Sequence, residues 1–262
     1  MIDDGVVPLE RLHEPECAKI LCYPRYDLKE LRRRVWELEN LGVQALEFNG
    51  EKRVFNMPVL GKGHCGIVVS ASLGGRKVAL KIRRVDANRS GMLHEAEMQR
   101  KANTAAVGPD LIDATDNFLV MEFVEGTTLP KWIEGVKERF KSRIRYVLLA
   151  VLEQCWRLDK VSLDHGELSR APKHIVVGED DKPCLVDFET ASTDRRAANV
   201  TSVCQYLFIG GSVARMIEDR LGEIDKGKLI RALRKYKKMH TREEFETVLD
   251  VCGLRKLQTV RL

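Results

Sequence analysis

Residues 59–82 read "VLGKGHCGIVVSASLGGRKVALKI", and no other stretch restricts the fold as tightly. Gly61, Gly63 and Gly66 stand in GxGxxG spacing, with Val68 two residues on. On its own that spacing serves dinucleotide-binding folds and ordinary turns alike. In a dinucleotide fold the third glycine opens a helix, whereas "IVVSAS" here continues as a β-branched strand. The stretch therefore predicts strand, glycine loop, strand, Gly-Gly turn and strand. A glycine loop between antiparallel strands can lie over a chain of phosphates, because without a Cβ its backbone N–H groups approach the oxygens closely.

Lys81 lies inside the apolar run "VALKI", where a charge is costly to bury unless an anion meets it. Snorkelling from a strand edge is the alternative, but the preceding loop favours contact with a phosphate. The expected partner is a carboxylate on the helix predicted over "SGMLHEAEMQRKAN". Glu95 suits an inward position midway along that helix. Glu97 points about 200° away and is expected in solvent.

Elsewhere the periodicity changes along the chain. "YDLKELRRRVWELENLG" (26–42) has helical spacing that stops at Gly42. "VQALEFNGEKRVFN" alternates around Asn49-Gly50, which predicts a hairpin. A helix and hairpin are read as packing against the next domain, with the end of a winged-helix DNA-binding module as the alternative. "NFLVMEFVEG" predicts an apolar strand. "FKSRIRYVLLAVLEQCWRLDK" carries Ile144, Val147, Leu148, Val151, Cys155 and Leu158 on one face of a long buried helix. "HIVV" and "CLVDF" predict two short strands joined by "GEDDKP", and helices follow near 199–220, 227–239 and 241–252. Strands first and helices second imply an α+β protein of two lobes.

A chain of 262 residues with 44% hydrophobic and 32% charged residues fits a soluble globular protein. No apolar run reaches the ~18 residues that span a bilayer, and "MIDDGVVPLERLHEPE" has no secretory pattern. Seven scattered cysteines without CxxC spacing favour reduced thiols in a cytoplasm. The net charge of +5 is mild, but residues 225–242 concentrate eight Lys and Arg. That segment is read as a solvated helix face, or else as a contact for nucleic acid, ribonucleoprotein or another acidic partner.

Six motifs in order, "GKGHCGIV", "VALK", Glu95, "LVMEFVEG", "HGEL" and "LVDF", resemble the protein kinase-like superfamily across about 57–252. The compact form is similar to the atypical RIO and Bud32 kinases and to predicted Ser/Thr kinases of archaeal type. The resemblance implies a short N-terminal extension (1–55), a β-rich N-lobe (56–125) and a compact helical C-lobe (126–262). It implies ATP held by Gly61, Gly63, Gly66, Val68, Lys81 and Glu95, with adenine bonded by the Glu122 carbonyl and the Val124 N–H beside a gatekeeper Met121. It further implies Mg²⁺ or Mn²⁺ on Asp187, with Lys81, Glu167 and Asp187 as catalytic residues.

The catalytic loop departs from the family, whose pattern is HGD with an Asn five residues after the acid. Glu167 takes the acid's place, position 172 is Pro, and a two-residue insertion brings His174 to the Asn position as a second metal ligand. Lys173 could instead neutralise phosphate charge. Glu189 replaces the usual glycine after Asp187-Phe188, as a second acidic ligand or as a solvent-facing residue.

Only "FETASTDRRAAN" separates Asp187 from the next helix. So short a segment implies a folded protein substrate, a small molecule, or autophosphorylation at Thr190, Ser192 or Thr193. The expected activity is that of an atypical Ser/Thr kinase. The alternatives are a nucleotide-binding pseudokinase or regulatory ATPase, and a small-molecule kinase of aminoglycoside-phosphotransferase type.

Overall fold

A computed structural model describes residues 5–255; residues 1–4 of the expected N-terminal extension and 256–262 of the expected C-lobe lie outside the described residues. The chain is mixed α and β, with strands concentrated early and helices late. It divides into two compact units. The first is built from residues up to Arg100 together with Pro109–Phe123, and the second from Lys101–Gly108 and the residues from Val124 on.

The first unit opens with β1 (Val6–Pro8), α1 (Pro15–Leu21), α2 (Leu28–Asn40) and β2 (Val43–Glu47). There follow β3 (Lys52–Val54), β4 (Met57–Val59), β5 (Gly61–Lys62), β6 (Gly66–Leu73), β7 (Arg76–Arg83), α3 (Arg89–Thr104), β8 (Leu111–Ala114) and β9 (Phe118–Glu122). An antiparallel sheet runs in the order β1-β2-β6-β7-β9-β8, with β5 added beside β6.

Alternation along the strands assigns their two faces. Val78, Leu80 and Ile82 of β7, with Phe118 and Val120 of β9, join a core that also takes Cys17, Ile20 and Leu21 of α1 and Leu31 and Leu38 of α2. Ala79, Leu119 and Met121 face the other way, against Met92 and Ala96 of α3. Both faces are covered, which is why "VALKI" and "FLVME" read as apolar without a break. Residues 5–55, set apart by sequence as an extension, share this core and this sheet.

The hairpin expected at Asn49-Gly50 does not form. β2 pairs with β1 and β6, while β3 pairs with β4, turning at Phe55-Asn56. Local alternation marked the strands but could not choose their partners, and β2 gains a buried central place by pairing with β6.

A buried polar network ties α1 and α2 to the sheet. Arg34 is fully buried. It donates to the Leu21 carbonyl, to the Arg83 carbonyl at 2.6 Å, to Asn117 Oδ1 at 3.1 Å and to Glu30 at 2.9 Å. Arg83, also buried, donates to Asn117 Oδ1 at 2.7 Å, and Asn117 Nδ2 donates to Glu37 at 2.7 Å. Burial lowers the Arg34 pKa, opposed by Glu30.

In the second unit β10 (Thr127–Thr128) leads into α4 (Leu129–Gly135) and α5 (Lys141–Lys160). β11 (Ile175–Val177) and β12 (Pro183–Leu185) pair as the sequence predicts, and β10 adds to their edge. α6 (Asn199–Cys204), α7 (Ser212–Leu221), α8 (Lys226–Met239) and α9 (Arg242–Val251) complete it. The single helix expected over 199–220 is interrupted. α6 widens into a π turn at Gln205–Ile209 and stops at Gly210-Gly211, where Gly211 takes φ +97°. Among the described residues no single helix is long and apolar enough to cross a membrane.

Candidate active site

In the first unit the glycine loop is a tight antiparallel turn. Gly63 N donates to the Gly66 carbonyl at 2.8 Å and Leu60 N to the Val68 carbonyl at 2.9 Å. On β7, Lys81 shares its face with Ala79, the face covered by α3. Its Nζ meets both carboxylate oxygens of Glu95, at 2.8 and 2.7 Å. Both side chains are buried, at 4% and 2% exposure, whereas Glu97 is exposed. Replacing such a pair by apolar residues is often neutral or stabilising, so fold stability alone gives little reason for it.

The three loop glycines are not equivalent. A Cβ on Gly66 would lie 2.8 Å from the Ile82 carbonyl oxygen and 3.1 Å from Lys81 Cγ, whereas one on Gly61 would meet Val68 at an ordinary 3.6 Å. Gly66→Ala is therefore expected to cost about 1–3 kcal/mol by overpacking and to displace Lys81, with Gly61→Ala close to neutral. Urea titration of both variants checks this; equal stabilities would refute it. Met121 is buried against α3. Glu122 ends β9, its N–H bonded to the Asp110 carbonyl at 2.9 Å, and Val124 is half-buried in the loop that begins the second unit.

In the second unit the β11–β12 hairpin brings His174 and Asp187 together. His174 precedes β11, Asp187 follows β12, and Val186 N donates to the His174 carbonyl at 3.0 Å. Asp187 adopts φ +72°, a left-handed conformation that is uncommon for any residue with a side chain. Where strain of this kind is observed it points toward function. His174 is 1% exposed; its Nε2 lies 3.3 Å from Glu167 Oε2 and its Nδ1 4.0 Å from Asp187 Oδ2. One donor atom from each of Glu167, His174 and Asp187 lies within 4.8 Å of the others. Two carboxylates and an imidazole form a donor set that fits a divalent cation. Lys173 Nζ stands 3.5 Å from Asp187 Oδ2. Glu189 is half-buried.

A buried scaffold holds the loop. The His165 N–H donates to Asn199 Oδ1 at 2.9 Å, and His165 Nε2 lies 3.2 Å from the Val186 carbonyl. Its ring packs against His174 and Phe188. Burial, reinforced by His174, lowers the His165 pKa to about 4, so the ring is neutral at physiological pH.

Asn199 is fixed in turn by Asp159, which accepts from Asn199 N and Nδ2 (each 2.8 Å), Val200 N (3.2 Å) and the Tyr236 hydroxyl (2.8 Å). Burial pushes the Asp159 carboxyl up against these donors. Sequence reasoning missed Asp159, Asn199 and Tyr236. The available signal was an acid on the apolar stripe of α5, four residues after Cys155 and seven after Leu152.

Gly166 takes φ +89°, and a Cβ there would fall 2.8 Å from both Thr190 Oγ1 and an Arg195 guanidinium nitrogen. The segment after Asp187 folds back onto the loop. Ser192 and Asp164 exchange backbone hydrogen bonds of 2.8 and 2.9 Å, Thr190 Oγ1 donates to the His165 carbonyl at 3.1 Å, and Arg195 binds Asp164 at 2.8 Å. Thr193 is exposed. The basic stretch forms α8, where Lys235 pairs with Glu244 at 2.7 Å, Lys226 with Glu218 at 3.0 Å and Lys228 with Asp225 at 3.7 Å.

No family model matches the chain. It is 29% identical over 121 residues to an uncharacterized protein of Methanocaldococcus jannaschii, covering 45% of this chain and the whole of that one. It is also 32% identical over 72 residues to a protein of Bacillus subtilis whose name reads "Putative serine/threonine-protein kinase YrzF". That match covers 28% of this chain and a third of the relative, a partial likeness that extends only to kinase-like sequence.

Proposed function

We propose that the protein is an ATP-dependent phosphotransferase with a two-lobed kinase fold, acting as an atypical serine/threonine kinase in the cytoplasm on a folded protein or on itself. The observation that carries this reading is the buried Lys81–Glu95 pair on the strand beside the glycine turn. Glu95 orients the ammonium for contact with phosphate oxygens, with the turn of Gly61, Gly63 and Gly66 beside it. The Glu122 carbonyl and Val124 N–H bond the adenine. The partial likeness to the Bacillus protein supports the same class.

Asp187 and His174 hold a divalent cation, Mg²⁺ or Mn²⁺, which neutralises phosphate charge when bound. Glu167 orients the acceptor hydroxyl and takes its proton. The hydroxyl oxygen bonds to the γ-phosphorus as the bond to the β–γ bridging oxygen breaks, and ADP leaves. The short, pinned segment after Asp187 supports a folded acceptor over an extended peptide. Thr190 and Thr193 are both exposed, but the Thr190 hydroxyl is tied to the His165 carbonyl.

Incubation with γ-labelled ATP and either metal, reading label on protein and free phosphate separately, tests the reading. Label on protein supports a kinase; free phosphate alone supports a regulatory ATPase. Calorimetry isolates the binding step. Lys81→Ala is expected to weaken ATP binding by about 10-fold or more, the scale of losing a charge-assisted contact of 1.5–3 kcal/mol. Equal affinities would remove Lys81 as the phosphate contact.

A further inference from the structure

We infer that Glu167, His174 and Asp187 form a three-donor site that binds a first-row transition-metal dication of the Mn²⁺ type without nucleotide, in preference to Mg²⁺. The inference rests on the phosphotransfer reading only for what the ion is used for; the site itself rests on the side chains.

Mg²⁺ dehydrates reluctantly and is commonly held by one or two carboxylates plus substrate phosphates. A site of that kind is incomplete before nucleotide arrives. Here a third protein donor is present, and it is nitrogen. The His174 ring lies between the two carboxylates, Nε2 at 3.3 Å from Glu167 and Nδ1 at 4.0 Å from Asp187; a single one of its nitrogens lies within 4.8 Å of a donor oxygen from each. Donors bonded at about 2.1 Å to one ion stand roughly 3.0–4.2 Å apart, so the 4.8 Å spread of this set closes by a small side-chain rotation. Imidazole favours the first-row transition ions, whereas magnesium sites are built from oxygen.

The surroundings hold the imidazole in place, as ligand supports do. His174 is almost fully buried, its carbonyl is bonded to Val186 N, and the His165 ring packs edge-on against it at 5.5 Å. Two carboxylates face the imidazole, and Lys173, 3.5 Å from Asp187, offsets part of their charge. Lys173 is 59% exposed on a flexible stem, so an arriving ion can displace it.

The test uses the full chain without nucleotide. MnCl₂ titration followed by the electron-paramagnetic signal of free Mn²⁺, with competition by MgCl₂, is expected to give Mn²⁺ at least about 10-fold tighter than Mg²⁺. His174→Asn should bring the two affinities within about threefold by substituting oxygen for nitrogen. Glu167→Gln should weaken Mn²⁺ by about 10-fold or more.

Pulsed measurements on the wild type should show nitrogen coupling to bound Mn²⁺, a readout that needs no variant to fold. Absence of Mn²⁺ binding without nucleotide, absence of nitrogen coupling, or an unchanged metal ratio in His174→Asn would overturn the inference. The two readings fail separately. Mn²⁺ binding with no ATP affinity sinks the phosphotransferase and keeps the site. ATP-dependent transfer with an oxygen-only metal does the reverse.

Discussion

Glu167→Gln is expected to cut phosphotransfer by about 10²-fold or more, the usual loss on removing a positioned acid–base group, while ATP affinity stays nearly unchanged. Gln keeps the length and shape of the side chain but cannot take the acceptor's proton. The Glu167 side chain is 39% exposed, with Oε2 toward His174, so a carboxylate bound on one side can still serve a hydroxyl on the other. Initial rates at saturating Mn²⁺, with calorimetry for ATP, separate chemistry from binding and from weakened metal affinity.

Glu167→Asp is the finer test, because losing a methylene withdraws the carboxylate by roughly 1 Å, enough to matter for a near-attack geometry. If the Pro172-Lys173-His174 loop is shaped for Glu, Asp is also slow. If the loop merely tolerates Glu, Asp equals or exceeds the wild type. A Gln variant as fast as wild type removes Glu167 as proton acceptor and leaves a nucleotide-binding or ATPase module in front.

Arg34→Met is expected to lower stability by about 3–5 kcal/mol, the scale of breaking a buried charge network at one member. Met fills much of the volume but leaves the Leu21 and Arg83 carbonyls without their guanidinium donor and weakens the hold on Glu30. Arg34→Lys should fall between the two, keeping the charge and losing the planar fork. Guanidinium titration of the three proteins measures this, and a loss below about 1 kcal/mol, the range of an exposed pair, would reject the network as a structural anchor. The site is linked to it through β7: Arg83 stands two residues beyond Lys81 on the same strand, so ATP affinity should fall along with stability.

Much of the candidate site was legible because its parts are local. Gly61, Gly63 and Gly66 announce themselves by spacing, and Lys81 by being the one charge in "VALKI". Glu95 could be preferred over Glu97 from helical phase alone, and the structure has Glu95 buried on Lys81 and Glu97 exposed. The three cations of α8 that pair with acids brought by α7, α9 and the preceding loop could not be told from free ones, because their partners lie up to nine residues away. Asp159 was overlooked because an acid at the end of an amphipathic helix usually meets solvent, and only Asn199 and Tyr236, 40 and 77 residues later, make its burial tolerable.

Short-range chemistry was enough to specify that β6 and β7 are strands around a Gly-Gly turn, that α5 is one long buried helix, and that "HIVV" and "CLVDF" pair. Each of these depends on a period or a turn contained in about twenty residues. Strand order, and with it the union of residues 5–55 with the sheet, did not follow from such signals. The alternation around Asn49-Gly50 is compatible with β2 pairing to β3 or to β6, and burial of Leu46 against α1 and α2 favours β6. The meeting of Glu167, His174 and Asp187 belongs to the same class. A twenty-residue separation with an insertion leaves the register of the loop open, and the hairpin that returns Asp187 to His174 closes it by placing both at the ends of one hydrogen-bonded ladder. Period and turn chemistry act within a segment, whereas pairing and ligand convergence depend on which distant surfaces are buried together.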